Sequence, residues 1–193
     1  MGMSGASGSI YGLRLLEKLR GLPNVETHLV VSRAGERTAW LETGRKAAAI
    51  RELADCSYAV DDIGCRLASG SFLTDAMVVA PCSVHTMSAI AAGVSSNLLV
   101  RAADVILKER RRLILLVRES PLHLGHLRTL AALAEMGAVI CPPVPAFYNH
   151  PQSAMDIVDY TVDRALDLLG LPAPDALRWD PAVARKTAHE QED

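Results

Sequence analysis

Three aliphatic runs with almost no polar interruption, residues 77–80 (MVVA), 113–117 (LILLV) and 138–141 (AVIC), restrict this chain more than any other feature. A strand with one wet face alternates apolar and polar residues, whereas a nearly continuous apolar run belongs to a strand covered on both faces. Between the runs lie longer stretches with apolar residues at helical spacing, a pattern that predicts parallel strands joined by crossover helices. A further strand is expected over 25–31. Ile10, Leu13, Leu16 and Leu19 stand three apart and predict a first helix, and others are expected over 86–92, 97–108, 123–136 and 153–169. Residues 43–68 read as helical through Ala54, then irregular across Asp61, Asp62 and Gly64. The expected fold is therefore α/β, with helices on both faces of a mostly parallel sheet.

Half of the 193 residues are hydrophobic and 22% are charged, which is enough for one well-buried core and short for two. A formal charge of -2 and a pI near 6.3 give no reason to expect nucleic acid or an acidic membrane surface as partner. No run of about 18 apolar residues occurs, so no membrane span is expected. The N-terminus carries no basic segment followed by an apolar core and cleavage site. Cys56, Cys65, Cys82 and Cys141 stand 9, 17 and 59 residues apart, which fits neither a CxxC metal pair nor a dense disulfide framework. A reducing cytoplasm is the expected compartment, and no metal is expected. Towards the end, Pro172, Pro174, Pro181 and a run of charges read as a docked extension followed by a loose tail.

Residues 2–12 (GMSGASGSIYG) set glycines and hydroxyls directly before the first helix. Gly5 and Gly8 permit a tight turn, Ser4, Ser7 and Ser9 add hydroxyls, and the helix start offers unpaired N–H groups, an arrangement suited to phosphate. The same arrangement also serves as an ordinary turn and cap. Only Met1, Gly2 and Met3 precede the loop, although a strand of about five residues normally does. A strand that begins upstream of Met1 is the favoured expectation over a very short one. Ligands of open α/β sheets bind beyond the carboxyl ends of the strands. There the sequence places Gly5, Ala6 and Ser7, then Ser32, then 81–86, then Arg118 and Glu119, then 142–148 ending in Tyr148. Hydroxyls, an arginine and a tyrosine at one edge suit a planar heterocycle that carries a phosphate.

Gly5-Ala6-Ser7-Gly8, Ala80-Pro81-Cys82-Ser83, Arg101-Ala102-Ala103-Asp104-Val105, Leu107-Lys108-Glu109-Arg110 and Pro145-Ala146-Phe147-Tyr148 occur in this order. Together they resemble the UbiX-type flavin prenyltransferases, from Gly2 to about Trp179. The resemblance implies a flavodoxin-like, Rossmann-like three-layer α/β/α fold in one flavin-binding domain over 1–175, followed by an extension and tail over 176–193. It implies transfer of the dimethylallyl group of dimethylallyl phosphate to N5 and C6 of reduced FMN. It further implies a large homo-oligomer with sites at subunit interfaces and a UbiD-type decarboxylase as recipient of the prenylated FMN. By that likeness Gly5, Ala6, Ser7, Ser32, Ser83, Val84, His85, Thr86 and Arg118 would hold FMN. Tyr148 and Arg164, with Arg101 and Lys108 nearby in the assembly, would hold the prenyl phosphate. Ser7, Glu42 and Glu119 would be catalytic.

The implied chemistry agrees with the residue types. Departure of phosphate from an allylic carbon needs its growing negative charge stabilised where water is excluded. Two unit charges about 4 Å apart interact by roughly 4 kcal/mol at an effective dielectric near 20, so a few cations suffice without a metal. Ser7 would relay the proton lost at N5, and Glu119 would protonate the leaving phosphate. Arg110, Arg111 and Arg112 read instead as cations that meet a helix C-terminus and solvent. Cys82 reads as a buried strand-end residue, and His123 and His126, at i,i+3, lack the cysteine or carboxylate partners of a metal site. Two other readings are open. A phosphopantothenoylcysteine-type decarboxylase shares the fold, but Pro81-Cys82-Ser83-Val84-His85-Thr86 stands in place of its Pro-Ala-Ser-Ala-Asn-Thr and its Pro-x-Met-Asn loop is absent. A noncatalytic carrier of FMN or prenylated FMN would have no use for Glu42, Lys108, Glu119, Tyr148 and Arg164.

Overall fold

The computed structural model describes residues 1–174 and 176–178, so most of the extension read over 176–193, with Trp179 and Pro181, lies outside the described residues. Six strands form one all-parallel sheet: β1 (Gly2–Met3), β2 (His28–Val31), β3 (Cys56–Tyr58), β4 (Ala76–Cys82), β5 (Arg112–Val117) and β6 (Val139–Ile140). Their order is β3-β2-β1-β4-β5-β6. This is the Rossmann order, and its direction reverses between β1 and β4, where a crevice opens at the carboxyl edge. Among the described residues, six α-helices lie between the strands and a seventh follows the last: α1 (Ser9–Arg20), α2 (Arg33–Thr43), α3 (Ala47–Arg51), α4 (Val84–Ala91), α5 (Leu98–Lys108), α6 (Leu124–Glu135) and α7 (Ala154–Leu169).

Burial on two faces explains the uninterrupted aliphatic runs. Val78, Ala80, Ile114 and Leu116 pack against Leu15 of α1 and Val162 and Leu166 of α7. Their neighbours Met77, Val79, Leu113, Leu115 and Val117 point to the other side, against Leu98, Leu99 and Ile106 of α5 and Leu133 of α6. The period is still two, but both phases are apolar. A third cluster joins Met3, Leu29 and Val31 to Leu13, Leu16, Ala39 and Ile50 under α1 to α3. Each such side chain, fully buried, contributes roughly 1.5–3 kcal/mol of transfer free energy. Outside the core, Arg14 Nε donates to Asp159 at 2.7 Å and Lys18 pairs with Asp163, which ties α1 to α7.

Several expected boundaries differ. β2 starts at His28 rather than Val25, and the helix expected through Ala54 ends at Arg51. β3 was not expected because a three-residue edge strand of Cys-Ser-Tyr carries no aliphatic signal. α2 was not expected because it buries only Gly35 and Ala39, too small to mark a face. β4 runs past Ala80 through Pro81 to Cys82, with an irregular register between Val79 and Cys82 that accommodates the residue lacking an N–H. At the opposite, amino-terminal edge, the first residues of β2 and β4 border a cavity of about 720 Å³ that Met1 also lines.

Gly12 sets how closely α1 approaches the sheet. A Cβ there would lie 2.3 Å from the Ala80 carbonyl oxygen and 2.9 Å from Met3 Cε. Gly12→Ala is therefore expected to destabilise the protein by about 1–3 kcal/mol, seen as a lowered melting midpoint. Gly64→Ala, which meets nothing nearer than Asp62 Oδ1 at 3.8 Å, is the neutral control.

Candidate functional site

Four loops leave the carboxyl edge around the crevice between β1 and β4, and hydrogen bonds hold them to one another. Ser32 N donates to Met3 O at 2.9 Å, Ser4 N to Pro81 O at 3.1 Å and Arg118 N to Cys82 O at 3.1 Å. The Ser4 hydroxyl, 1% exposed, donates to Pro81 O at 2.9 Å and accepts from Ser83 N at 2.7 Å. Thr38 Oγ1 donates to Gly5 O at 3.2 Å, fixing the glycine loop against α2. Gly5, Ala6, Ser7, Ser32, Ser83 and Arg118 are thereby gathered along one rim. Arg118 and Ser7 are exposed there, Ala6 and Thr86 are buried, and Val84 and His85 form the first turn of α4.

Two serines of the rim serve as helix caps. Ser32 Oγ accepts from Gly35 N at 3.0 Å at the start of α2, and Ser83 Oγ from Thr86 N at 3.2 Å at the start of α4. Ser83 leaves the N–H groups of Val84 and His85 facing outward at the positive end of α4. The start of α1 differs from the phosphate site that the sequence suggested. Gly8, at φ 100°, turns the chain so that its N–H donates to both Glu42 oxygens at 3.1 Å, and Ser9 N donates to Glu42 Oε2 at 2.9 Å. A carboxylate already occupies the place of an anion.

Burial opposes ionisation of Glu42, but hydrogen bonds from the Ser7 hydroxyl and from the Ser9 and Gly8 N–H groups outweigh it and hold the carboxyl below its ordinary value. Ser7 and Glu42 are thus neighbours at the start of α1. Beside them, the Tyr11 ring lies against Gly8, and its hydroxyl is raised by burial, with the Arg118 guanidinium pulling the other way. Glu119 turns back on its own loop and accepts from Ser120 N at 2.9 Å. Burial pushes the Cys82 thiol up to about 12, in keeping with a structural strand-end residue.

Tyr148 and Arg164 form a second neighbourhood beyond β6. The Tyr148 hydroxyl lies 2.7 Å from that of Tyr160, and Arg164 donates to Asp167 at 2.8 Å. Cys141, at the end of β6, is raised by burial and drawn back by Arg164. Arg101 and Lys108 lie elsewhere. Both are on α5, where Arg101 Nε donates to Ala68 O at 3.2 Å and Lys108 pairs with Glu109. Lys108 ends α5 just before β5 begins, so the six residues of that strand, about 20 Å, separate its edge of the sheet from Arg118. Within one chain Lys108 does not reach the crevice, and Arg101, nearer the start of α5, is held by Ala68 O and by Asp104.

His123 caps α6 by accepting from Gly125 N at 3.0 Å. Glu26, His28 and Cys56 bring possible ligand atoms within 4.8 Å of one another, at the amino-terminal edge away from the crevice. The sequence did not single out Tyr11, Thr38 or Tyr160, and it named Ser4 only as a hydroxyl of the glycine loop. Of the first three, only Tyr160 left a readable signal, one helical turn before Arg164.

The model of the Flavoprotein family matches residues 1–166. Flavin prenyltransferase UbiX of Escherichia coli (strain K12) is 52% identical over 184 residues, which cover 94% of this chain and 97% of the relative. The chain belongs to the UbiX flavin prenyltransferase family. Among solved UbiX structures, the dodecameric FMN-dependent UbiX-like decarboxylase from Escherichia coli O157:H7 superposes with a TM-score of 0.91 at 49% identity, over 93% of this chain and 97% of that one. AnUbiX in complex with FMN and dimethylallyl pyrophosphate gives a TM-score of 0.91 at 46% identity, over 93% and 95%. Among the described residues, no helix is long and apolar enough to cross a membrane.

The Glu42 contacts carry a sign. A carboxyl whose folded pKa lies below its unfolded value stabilises the fold fully above that unfolded value and ceases to do so as pH falls through the folded one. Glu42→Gln should therefore melt below wild type at pH 7, and the gap should close as pH drops below 4.5, the ordinary value. A gap independent of pH would assign the loss to packing.

Proposed function

We propose that this protein is a flavin prenyltransferase that joins the dimethylallyl group of dimethylallyl phosphate to N5 and C6 of reduced FMN. The observation that carries the reading is the rim at the β1/β4 crevice, where Ser4 ties the glycine loop to the start of α4 and Arg118 stands alongside. Its donor set fits a flavin mononucleotide: backbone N–H groups and hydroxyls for a ring, and a helix start for a phosphate. The phosphate belongs at α4, on the N–H groups of Val84 and His85 with Ser83 and Thr86, because the start of α1 is held by Glu42. Gly5, Ala6, Ser7, Ser32 and Arg118 complete the FMN site.

Roles follow from the contacts. Ser7, bonded to an ionised Glu42, passes on the proton lost when N5 is alkylated, and Glu42 keeps the hydroxyl oriented. Arg164 and the Tyr148 hydroxyl receive the departing phosphate, and Glu119 protonates it. Arg101 and Lys108 join them from a neighbouring subunit: Lys108 ends α5 at the far edge of the sheet, and Arg101 is held by Ala68 and Asp104 on its own protomer. The site is then complete only in a homo-oligomer, with one flavin-binding domain over 1–175 in each subunit. The product passes to a UbiD-type decarboxylase in the cytoplasm.

Anaerobic incubation with reduced FMN and dimethylallyl phosphate, followed by mass spectrometry of the flavin, should show a mass increase that disappears when the allylic phosphate is omitted. A carrier gives no increase. Glu119→Gln should slow adduct formation about a hundredfold while leaving FMN affinity unchanged. Loss of flavin binding with unchanged turnover per bound flavin would remove Glu119 from its role.

A further inference from the structure

Tyr160 and Arg164 stand four residues apart on α7 and so share a face of that helix. The Tyr160 ring meets Tyr148 edge to face, with centroids 6.3 Å apart and the two hydroxyl oxygens at 2.7 Å. At that distance one hydroxyl donates and the other accepts. Oxygens of an ionised phosphate ester only accept, so a Tyr148 that binds one must spend its single proton on it. Tyr148 then has none left for its neighbour, and the 2.7 Å contact survives only if the proton in it comes from Tyr160.

We propose that Tyr160 is a positioning residue that donates its hydroxyl proton to Tyr148 and so aims the Tyr148 proton at the phosphate of the prenyl donor. The inference rests on the placement of that phosphate at Tyr148 and Arg164 given above. The groups that act on Tyr160 agree with it. The hydrogen bond to Tyr148, burial and the Tyr148 and Asp167 charges raise its pKa above the ordinary tyrosine value, against the Arg164 guanidinium, so Tyr160 keeps its proton at neutral pH. Asp167 does not compete for that proton in the contacts it makes, since Arg164 and Arg178 both donate to it. A phenol that accepts one hydrogen bond also donates a stronger one, so the pair is a better anion receptor than Tyr148 alone.

The test is a double-mutant cycle read as kcat/KM for dimethylallyl phosphate, with FMN affinity and melting midpoint as controls. Tyr160→Phe should lower kcat/KM about fivefold in the wild-type background, mostly through KM, and less than twofold in the Tyr148→Phe background. Tyr160→His, which restores an N–H donor, should recover part of the loss. Equal losses in both backgrounds, no loss in the wild-type background, or a histidine variant no better than phenylalanine would each overturn the proposal. If Tyr148→Phe alone leaves kcat/KM unchanged, the phosphate placement fails and the inference with it. If Tyr148→Phe is impaired but Tyr160→Phe is not, only the inference fails.

Discussion

A buried hydroxyl braces the two halves of this sheet at the point where its ligand edge is made, beside the backbone bond from Ser4 N to Pro81 O. β1 is two residues long and β4 loses its regular register at Pro81, so strand pairing alone does not position the loops that follow. Ser4 supplies the missing connection by bonding to Pro81 O and to Ser83 N. The start of α4 and the glycine loop are thereby held in one frame. A buried hydroxyl with both of its hydrogen-bonding roles used is stable, whereas losing either partner leaves a polar group stranded in the core. The crevice inherits its shape from that bond.

Charge is then divided among the helix starts that face the same edge. Three of them, those of α1, α2 and α4, point positive ends toward the rim. Glu42 neutralises the first, a serine hydroxyl takes one N–H of each of the other two, and Arg118 adds a cation to the rim beside α4. The distribution gives the rim polarity along its length, with the ionised Glu42 beside Ser7 at one end and uncapped N–H groups with Arg118 at the other.

The sequence was legible wherever burial is two-sided and continuous. The runs in β4 and β5 and the periodicity of α1, α5, α6 and α7 follow directly from the packing that the structure contains. It was illegible where small or polar residues do the packing, as in α2 with Gly35 and Ala39, or where an edge strand is held by backbone bonds alone, as in β3. The same division holds for the site. Gly5, Ser7, Ser32, Ser83 and Arg118 lie at strand ends, so topology alone brings them together, and Arg164 follows from the family likeness. Glycine and hydroxyl content suggested a phosphate at α1, but only the fold reveals that a carboxylate from 34 residues further along lies there. Ser4 was legible as a loop hydroxyl and Tyr160 as a turn before Arg164, but the link from Pro81 to Ser83 and the Tyr148–Tyr160 contact come only from the fold.

The thiol of Cys82 sits directly beneath Ser83, and burial holds it neutral far above physiological pH. Reduced flavins react with dioxygen and release peroxide, and it is the thiolate form of cysteine that peroxide attacks. A protonated sulfur enclosed in the core at the end of β4 offers no nucleophile to that by-product. The pocket can therefore work beside an oxygen-sensitive substrate without scarring its own foundation.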